Sequence, residues 1–384
     1  MPLAYNLNVS KKSISVNKSN LVTSADLDHP TLHGKSDYGY VFSWDDYYSP
    51  RLLYALLGKG VRARVASKPF GMNLKGQQID FTYGAIIIPA QNQDVSSNEI
   101  HNLIQANIQN SHIQVYPIET GMGTAEVDLG SPSMNNLELP KIMMVVDGSV
   151  TSYDAGEVWH LLDQNYNIPV TLVSSNNVNT NLLKEYNTVV LVNGSNVNAN
   201  ALKSWIEQGG VLITFKGATN WAINNGFTKA KVKGKNKSSR KGVIKEYRNA
   251  AAERGAQFVG GAIFESQLDL GHPLVYGYHD TSLPIFKRGT LALDYTSNPY
   301  AQPITYKNSP LLSGYISPSN HRYMANSAAA VVSGIGRGRV ISFVDNTNFR
   351  GFWYGTHKLF ANAIFFGTTI SGNTVATYNE EEEE

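Results

Sequence analysis

Three stretches of the chain gather side chains that could do chemistry. The first runs Asp147-Gly148-Ser149-Val150-Thr151-Ser152-Tyr153-Asp154-Ala155-Gly156-Glu157 and carries carboxylates, hydroxyls and a phenol. Its candidate ligand-binding groups are Asp147, Ser152, Asp154 and Glu157. The carboxylates would suit general acid–base work or an oxygen-liganded Mg²⁺ or Ca²⁺. Thr151 with Asp154, or Asp154 with Glu157, also spells a helix capping box, and that role is compatible with binding. The second stretch, Phe215-Lys216-Gly217-Ala218-Thr219-Asn220-Trp221, occupies the strand-to-turn position where α/β hydrolytic folds place a nucleophile. Here Ala218 would stand at that position as a degenerate nucleophile, Thr219 has no His nearby in sequence, and Asn220 is a candidate ligand contact. The third, Asn346-Thr347-Asn348-Phe349-Arg350-Gly351-Phe352-Trp353-Tyr354-Gly355, sets Arg350 among aromatic rings. Arg350 and Trp353 could grip a carboxylate or stack on a sugar or peptide, or they could lock the following helix to the core.

Other chemistries are excluded by what is missing. The chain has no Cys, so it has no thiol nucleophile, thiolate metal site or disulfide. It contains no Gly-x-Ser-x-Gly elbow. Nine His occur without His-Glu-x-x-His or His-x-His spacing, so we expect no metal site and no catalytic residue. Gly334-Ile335-Gly336-Arg337-Gly338 lies between two strands and does not open a helix, which removes it as a phosphate loop. No cofactor is expected.

The elements that must position these groups follow from the hydrophobic pattern. The 384 residues, 42% apolar and with a net charge of +2, can bury two cores, and the global balance gives no nucleic-acid footprint. Residues 1–36 read as an extended lead-in. Between 37 and 131, apolar strands at Tyr38–Ser43, Val61–Ala66, Ala85–Pro89 and His112–Pro117 alternate with helices at Pro50–Leu57 and Ser97–Asn107. This reads as a first doubly wound, flavodoxin-like α/β unit with a parallel sheet. A polar stretch containing Pro132 and Pro140 marks the boundary. Strands Ile142–Val146, Pro169–Val173, Thr188–Val192 and Val211–Phe215 then alternate with helices in a clearer βαβαβαβ series, within a second α/β domain spanning 139–370.

Farther on, Thr228–Arg248 holds nine Lys or Arg and one Glu, which reads as a solvated excursion. Ala328–Val332 and Arg339–Val344 form an added β-hairpin, and a last helix covers Thr356–Phe366. The acidic tail, 371–384, is expected to be disordered. No apolar run is long enough to span a membrane, and the residues after Met1 lack the apolar core of a signal peptide.

Four spaced stretches resemble a known family. They are Val146-Asp147-Gly148 with Ser152 through Asp163; Phe258 through Glu265 with His272-Pro273-Leu274; Asn308 through Ile316; and Asn348-Phe349-Arg350 with Trp353-Tyr354-Gly355-Thr356. Together they look like the glutamine-amidotransferase-like region that follows the peptidase domain in large bacterial zinc carboxypeptidases of the carboxypeptidase A type. The resemblance implies a class I glutamine amidotransferase fold for the second domain and a non-catalytic accessory role. It further implies an upstream zinc peptidase domain as partner and a periplasmic or extracellular location. Two alternatives stand beside it: a cryptic hydrolase using the carboxylates at the strand C-termini, and a stand-alone glycan- or peptide-binding protein.

Overall fold

The computed structural model describes residues 1–10, 32, 34–109, 111–124, 127–234 and 244–377. Most of the lead-in, the centre of the basic excursion and the end of the acidic tail lie outside the described residues. The chain divides into two compact units. The first comprises Met1–Leu139 with Asn165–Ile168 and Tyr276–Tyr278, and the second comprises the remainder.

In the first unit a short helix α1 (Pro2–Tyr5) precedes strand β1 (Gly39–Phe42), helix α2 (Ser49–Leu57) and strand β2 (Arg64–Ala66). The hairpin β3 (Phe70–Leu74) and β4 (Gln77–Phe81) follows, then β5 (Ile86–Pro89), α3 (Ser97–Ile108), β6 (Val115–Ile118) and β7 (Met134–Asn136). Five strands form one sheet in the order β6-β1-β5-β2-β7, and every neighbouring pair is antiparallel. The expected parallel, flavodoxin-like sheet is therefore corrected here. Buried strands such as Ile86–Pro89 are apolar on both faces in either kind of sheet, so the run of apolar residues fixes burial and not direction. The β3–β4 hairpin escaped notice because Gln77–Phe81 is largely exposed. Its turn, Lys75-Gly76, has both residues at positive φ, as a tight two-residue hairpin requires.

The second unit opens with β8 (Ile142–Val145), α4 (Ser152–Trp159), β9 (Val170–Val173), α5 (Thr180–Leu183), β10 (Thr188–Leu191), α6 (Ala199–Glu207), β11 (Val211–Phe215) and α7 (Gly217–Asn224). It continues through α8 (Ala250–Ala256), β12 (Ala262–Leu268), β13 (Ser282–Lys287), β14 (Ile304–Gly314), α9 (Pro318–Met324), β15 (Ala328–Ile335), β16 (Gly338–Phe343) and α10 (Tyr354–Phe366). Nine strands make a mixed sheet in the order β13-β12-β14-β15-β16-β11-β10-β8-β9.

Pairing is parallel from β16 through β9 and antiparallel from β13 through β16. Helices cover both faces of the parallel half. On one, Leu183 of α5, Leu202, Trp205 and Ile206 of α6, and Ala218 and Ala222 of α7 pack on Met143, Val189, Leu191, Leu212 and Val340. On the other, Phe360 of α10 meets Phe215 edge-on at 5.4 Å. The sequence pattern placed β8 to β11 correctly to within a residue. It also found the β15–β16 hairpin, in which β15 runs on to Ile335 and β16 begins at Gly338, leaving only Gly336-Arg337 as the turn.

Candidate functional site

In chain order, the parallel strands lie second, first, third, fourth, fifth across the sheet. Chain direction out of the sheet reverses between β8 and β10, and open α/β sheets bind ligands at the strand C-termini beside such a switch. The loops after β8, β10, β11 and β16 meet there.

The sharpest of them is the turn from β11 into α7. Lys216 stands at φ 55° and ψ −116°. This region is unfavourable for a side chain with a Cβ, and strain of this kind gathers at functional sites. The residue in the elbow is thus Lys216, while Ala218 lies one step inside the helix and is fully buried in the core. Thr219 is also fully buried, with its hydroxyl donating to the Phe343 carbonyl at 2.8 Å. Asn220 is exposed on α7 and borders none of the cavities described below.

Lys216 Nζ donates to both carboxylate oxygens of Asp154, at 3.0 Å each. Asp154 lies on the first turn of α4 with its side chain only 6% exposed, so this is a buried pair. Asn346, from the loop after β16, donates through Nδ2 to Glu157 Oε2 at 2.7 Å and to Asp154 Oδ1 at 3.3 Å. One amide therefore ties together two carboxylates one helical turn apart. From the loop after β10, Asn193 Nδ2 donates to Thr151 Oγ1 at 2.8 Å, and Asn193 Oδ1 accepts from the Gly217 backbone N–H at 3.1 Å. The capping-box expectation is not what the geometry shows: the N-cap Thr151 makes no side-chain cap, and Asp154 and Glu157 turn to Lys216 and Asn346 instead.

Behind these groups lies a second buried pair that sequence reasoning missed. Lys287 Nζ donates to Asp345 Oδ2 at 3.0 Å and to the Leu291 carbonyl at 2.6 Å, while Tyr306 Oη donates to the same Asp345 oxygen at 2.6 Å. Asp345 Oδ1 accepts from the Arg288 backbone N–H at 3.2 Å. Burial pulls the Lys287 ammonium below its ordinary pKa, and the Asp345 carboxylate opposes that shift. Such a pair fixes geometry more than it stabilises, because desolvation consumes much of the attraction. It holds the ends of β13 and β16 together and so places Arg288 and Asn346.

Two adjoining cavities open onto this arrangement. One, of about 340 Å³, is bordered by the Asp154–Lys216 pair, Glu157, Asn193 and Asn346 and by the aromatic rings of Phe258, Phe286 and Phe349. The other, of about 860 Å³, is bordered by Ser152, Tyr153, Glu157, His160, Arg288 and Arg350. Glu157 belongs to both. Burial pushes its carboxyl up to about 7; Asp154 adds to the rise, and the Arg350 backbone N–H, Lys216 and Arg288 oppose it.

Regular helix ends at Trp159, and a π-helical turn over His160–Asn165 follows. Such wide turns recur at functional sites, and this one puts His160 at the cavity wall. Of the expected ligand groups, Ser152, Asp154, Glu157 and Arg350 come together here. Asp147 does not: it joins the loops after β8 and β9, accepting from Ser174 Oγ at 2.5 Å and the Ser175 N–H at 2.7 Å. Trp353 is buried, and its indole N–H donates to the Pro284 carbonyl at 3.0 Å, so it anchors α10.

The first unit has its own cavity of about 290 Å³, bordered by Arg62, Arg64 and Tyr38 among others. Its cations are already engaged, Arg62 with Asp94 and Arg64 with Asn136, which leaves the second unit as the richer site. Among the described residues, no group of three or more His, Asp or Glu converges as a metal site. No helix among them is long and apolar enough to cross a membrane.

No protein-family model and no curated protein sequence matches the chain. Solved structures similar to it include a ThuA-like protein from Bacteroides uniformis, 11% identical, covering 58% of this chain and 88% of that one with a TM-score of 0.36. A ThuA-like protein from Parabacteroides merdae is 13% identical, with coverage of 59% and 89% and a TM-score of 0.37. An exo-beta-1,4-mannosidase from an Opitutaceae bacterium is 14% identical, with coverage of 59% and 36% and a TM-score of 0.33. The resemblance to the accessory region of zinc carboxypeptidases is overturned by these findings, since the structural neighbours include ThuA-like proteins and no family model supports a carboxypeptidase origin. The stretches that suggested it are strand ends, turns and helix starts such as Asp147-Gly148 and Trp353-Tyr354, whose side chains here link loops and anchor a helix.

Proposed function

We propose that the second unit, arranged like an amidotransferase domain, binds a sugar in the cavity at the C-terminal ends of β8, β10, β11 and β16. The observation that carries this reading is the convergence of Asp154, Glu157, Asn193, Asn346 and Lys216 with Phe258 and Phe349 around one cavity. Adjacent hydroxyls donate and accept at once, and carboxylate, amide and ammonium groups together answer both demands. The apolar face of a sugar ring packs on an aromatic side chain, and Phe258 is 66% exposed and free to receive it. Amide hydrolysis fits poorly, because the elbow holds an ammonium paired with Asp154, which has no lone pair to attack a carbonyl.

A second reading, acid–base chemistry on the bound sugar, is favoured by Glu157 alone. A carboxyl that titrates near 7 is matched to proton transfer at neutral pH. Calorimetric titration with a panel of mono- and disaccharides tests the binding. The wild type should bind one of them saturably, and Glu157→Gln and Phe258→Ala should each weaken that binding by about tenfold, or 1.4 kcal/mol. Failure of every sugar to bind would remove the proposal. Turnover of nitrophenyl glycosides that disappears in Glu157→Gln would move the assignment to the second reading.

A further inference from the structure

We infer that the sugar bound here carries an oxyanion, a carboxylate or a phosphate, seated between Arg288 and Arg350. The inference rests on the sugar-binding reading and narrows its substrate class. Charges around the site do not balance. Lys216 is matched by Asp154 and Lys287 by Asp345, each at 3.0 Å. What remains is two guanidinium groups, Arg288 and Arg350, against the single carboxyl of Glu157, all bordering the larger cavity.

Among the described residues, neither guanidinium has a carboxylate within ion-pair distance. Both residues are exposed, so their charges are presented to solvent and not buried. An unneutralised arginine pair at a cavity mouth is suited to planar, bidentate capture of a carboxylate or phosphate.

Backbone geometry points to the same place independently. Apart from Lys75 in its hairpin turn, every positive-φ residue among the described residues that is neither Gly nor Asn is a cation bordering these cavities: Lys216 at 55° and Arg350 at 50°. Arg350 lies over the Phe349 ring, 5.4 Å from guanidinium carbon to centroid, and its backbone conformation turns it towards the cavity that Phe349 also lines. Gly351 follows at φ 64°, and a Cβ there would stand 3.1 Å from His160 Nδ1. The turn is therefore packed tightly against the wall of the site, and a residue held strained at a binding wall is one whose position is used.

Titration of the whole chain with glucuronate, glucose 6-phosphate and glucose at low ionic strength tests this. At least one charged sugar should bind about tenfold or more tightly than glucose. Arg288→Gln and Arg350→Gln should each lose most of that preference. Whether the uronate or the phosphate wins identifies the oxyanion. Glucose binding as tightly as both charged sugars, or a preference that survives both substitutions, overturns this inference and leaves the sugar site standing. No binding of any of the three overturns this inference, and the sugar reading falls with it when the wider panel of mono- and disaccharides fails as well.

Discussion

Lys216 is the residue on which the site turns, because two opposing costs meet in it. Its φ of 55° stores strain on the order of 1–3 kcal/mol. Its ammonium also neutralises Asp154, whose side chain is 6% exposed. Lys216→Gly would relax the backbone but leave Asp154 buried and unpaired, a loss of about 3–5 kcal/mol. We expect a net destabilisation of about 2 kcal/mol from these two terms. Lys216→Gly with Asp154→Asn should recover most of it, since the relaxed backbone then faces a neutral amide. Urea unfolding of both single variants and the double variant checks the cycle. A Lys216→Gly protein more stable than wild type would show that the backbone strain at Lys216 outweighs the Asp154 pair.

The sequence located this turn at 215–221 yet set the critical position at Ala218. The physical reason is that Gly217 advertises a positive φ and Lys216 does not, while the backbone places the unusual conformation on the lysine. Ser152, Asp154, Glu157 and Arg350 were legible because polar residues after a buried strand have few reasons to be there. Arg288 and the Lys287–Asp345–Tyr306 network were not, for their partners lie up to 58 residues apart in the chain.

At the scale of elements, the site depends on how closely the loops after β8 and β10 approach. Gly194, at φ 91°, lies where a Cβ would run into the Ser149 carbonyl oxygen and Val150. The loops are held there by Ser149 Oγ donating to the Gly194 carbonyl at 2.6 Å and by the Thr151 N–H donating to the Asn193 carbonyl at 3.0 Å. Gly148, at φ 70°, has the same handedness but open space around its Cβ position. Gly148→Ala should therefore cost only the left-handed backbone term of about 1 kcal/mol. Gly194→Ala should cost roughly 2 kcal/mol more through the collision, and it should weaken sugar binding because Asn193 moves with the loop. Thermal unfolding compared across the two variants checks this, and equal losses would mean the loops are not tightly apposed.

Legibility varied between the units for a related reason. In β8 to β11 the alternation of strand and helix fixes both order and direction, because a short parallel crossover has one hand. In the first unit, strands of three to five residues joined by long connections carry no such constraint, and antiparallel pairing came out of the fold alone.

At the scale of the whole molecule, two buried histidines and the partly buried Glu157 of the second unit make stability depend on pH with opposing signs. Burial pushes Glu157 up to about 7 from an ordinary 4.5, so the folded state holds more protons between those values. Its contribution is present below pH 4.5 and is lost as pH rises through 7. Burial pulls His272 down to about 4 and His357 down to about 3, with His160 adding to the latter. Their contribution is present above pH 6.5 and is lost as pH falls.

Between pH 4.5 and 6.5 two histidines oppose one carboxyl, so stability climbs, by about 2 kcal/mol per pH unit with the share of the partly solvated Glu157 halved. It should level off near pH 7, where the fading histidine contribution meets the opposing Glu157 contribution. Glu157 is partly solvated, so its share is discounted by roughly half. Glu157→Gln keeps an acceptor for Asn346 Nδ2 and removes the charge. Relative to wild type it should gain about 1 kcal/mol between pH 5 and pH 8, and its climb from pH 5 to pH 6.5 should be steeper. His272→Asn, whose amide oxygen can accept from the Leu274 N–H as Nδ1 does at 3.1 Å, should instead make the acid limb shallower. Urea unfolding followed by tryptophan fluorescence reports on this unit, since Trp159, Trp205, Trp221 and Trp353 belong to it and only Trp44 to the other. Parallel pH curves for wild type and Glu157→Gln would mean that Glu157 titrates as an ordinary surface carboxylate, and the acid–base reading of the site would fall with that result.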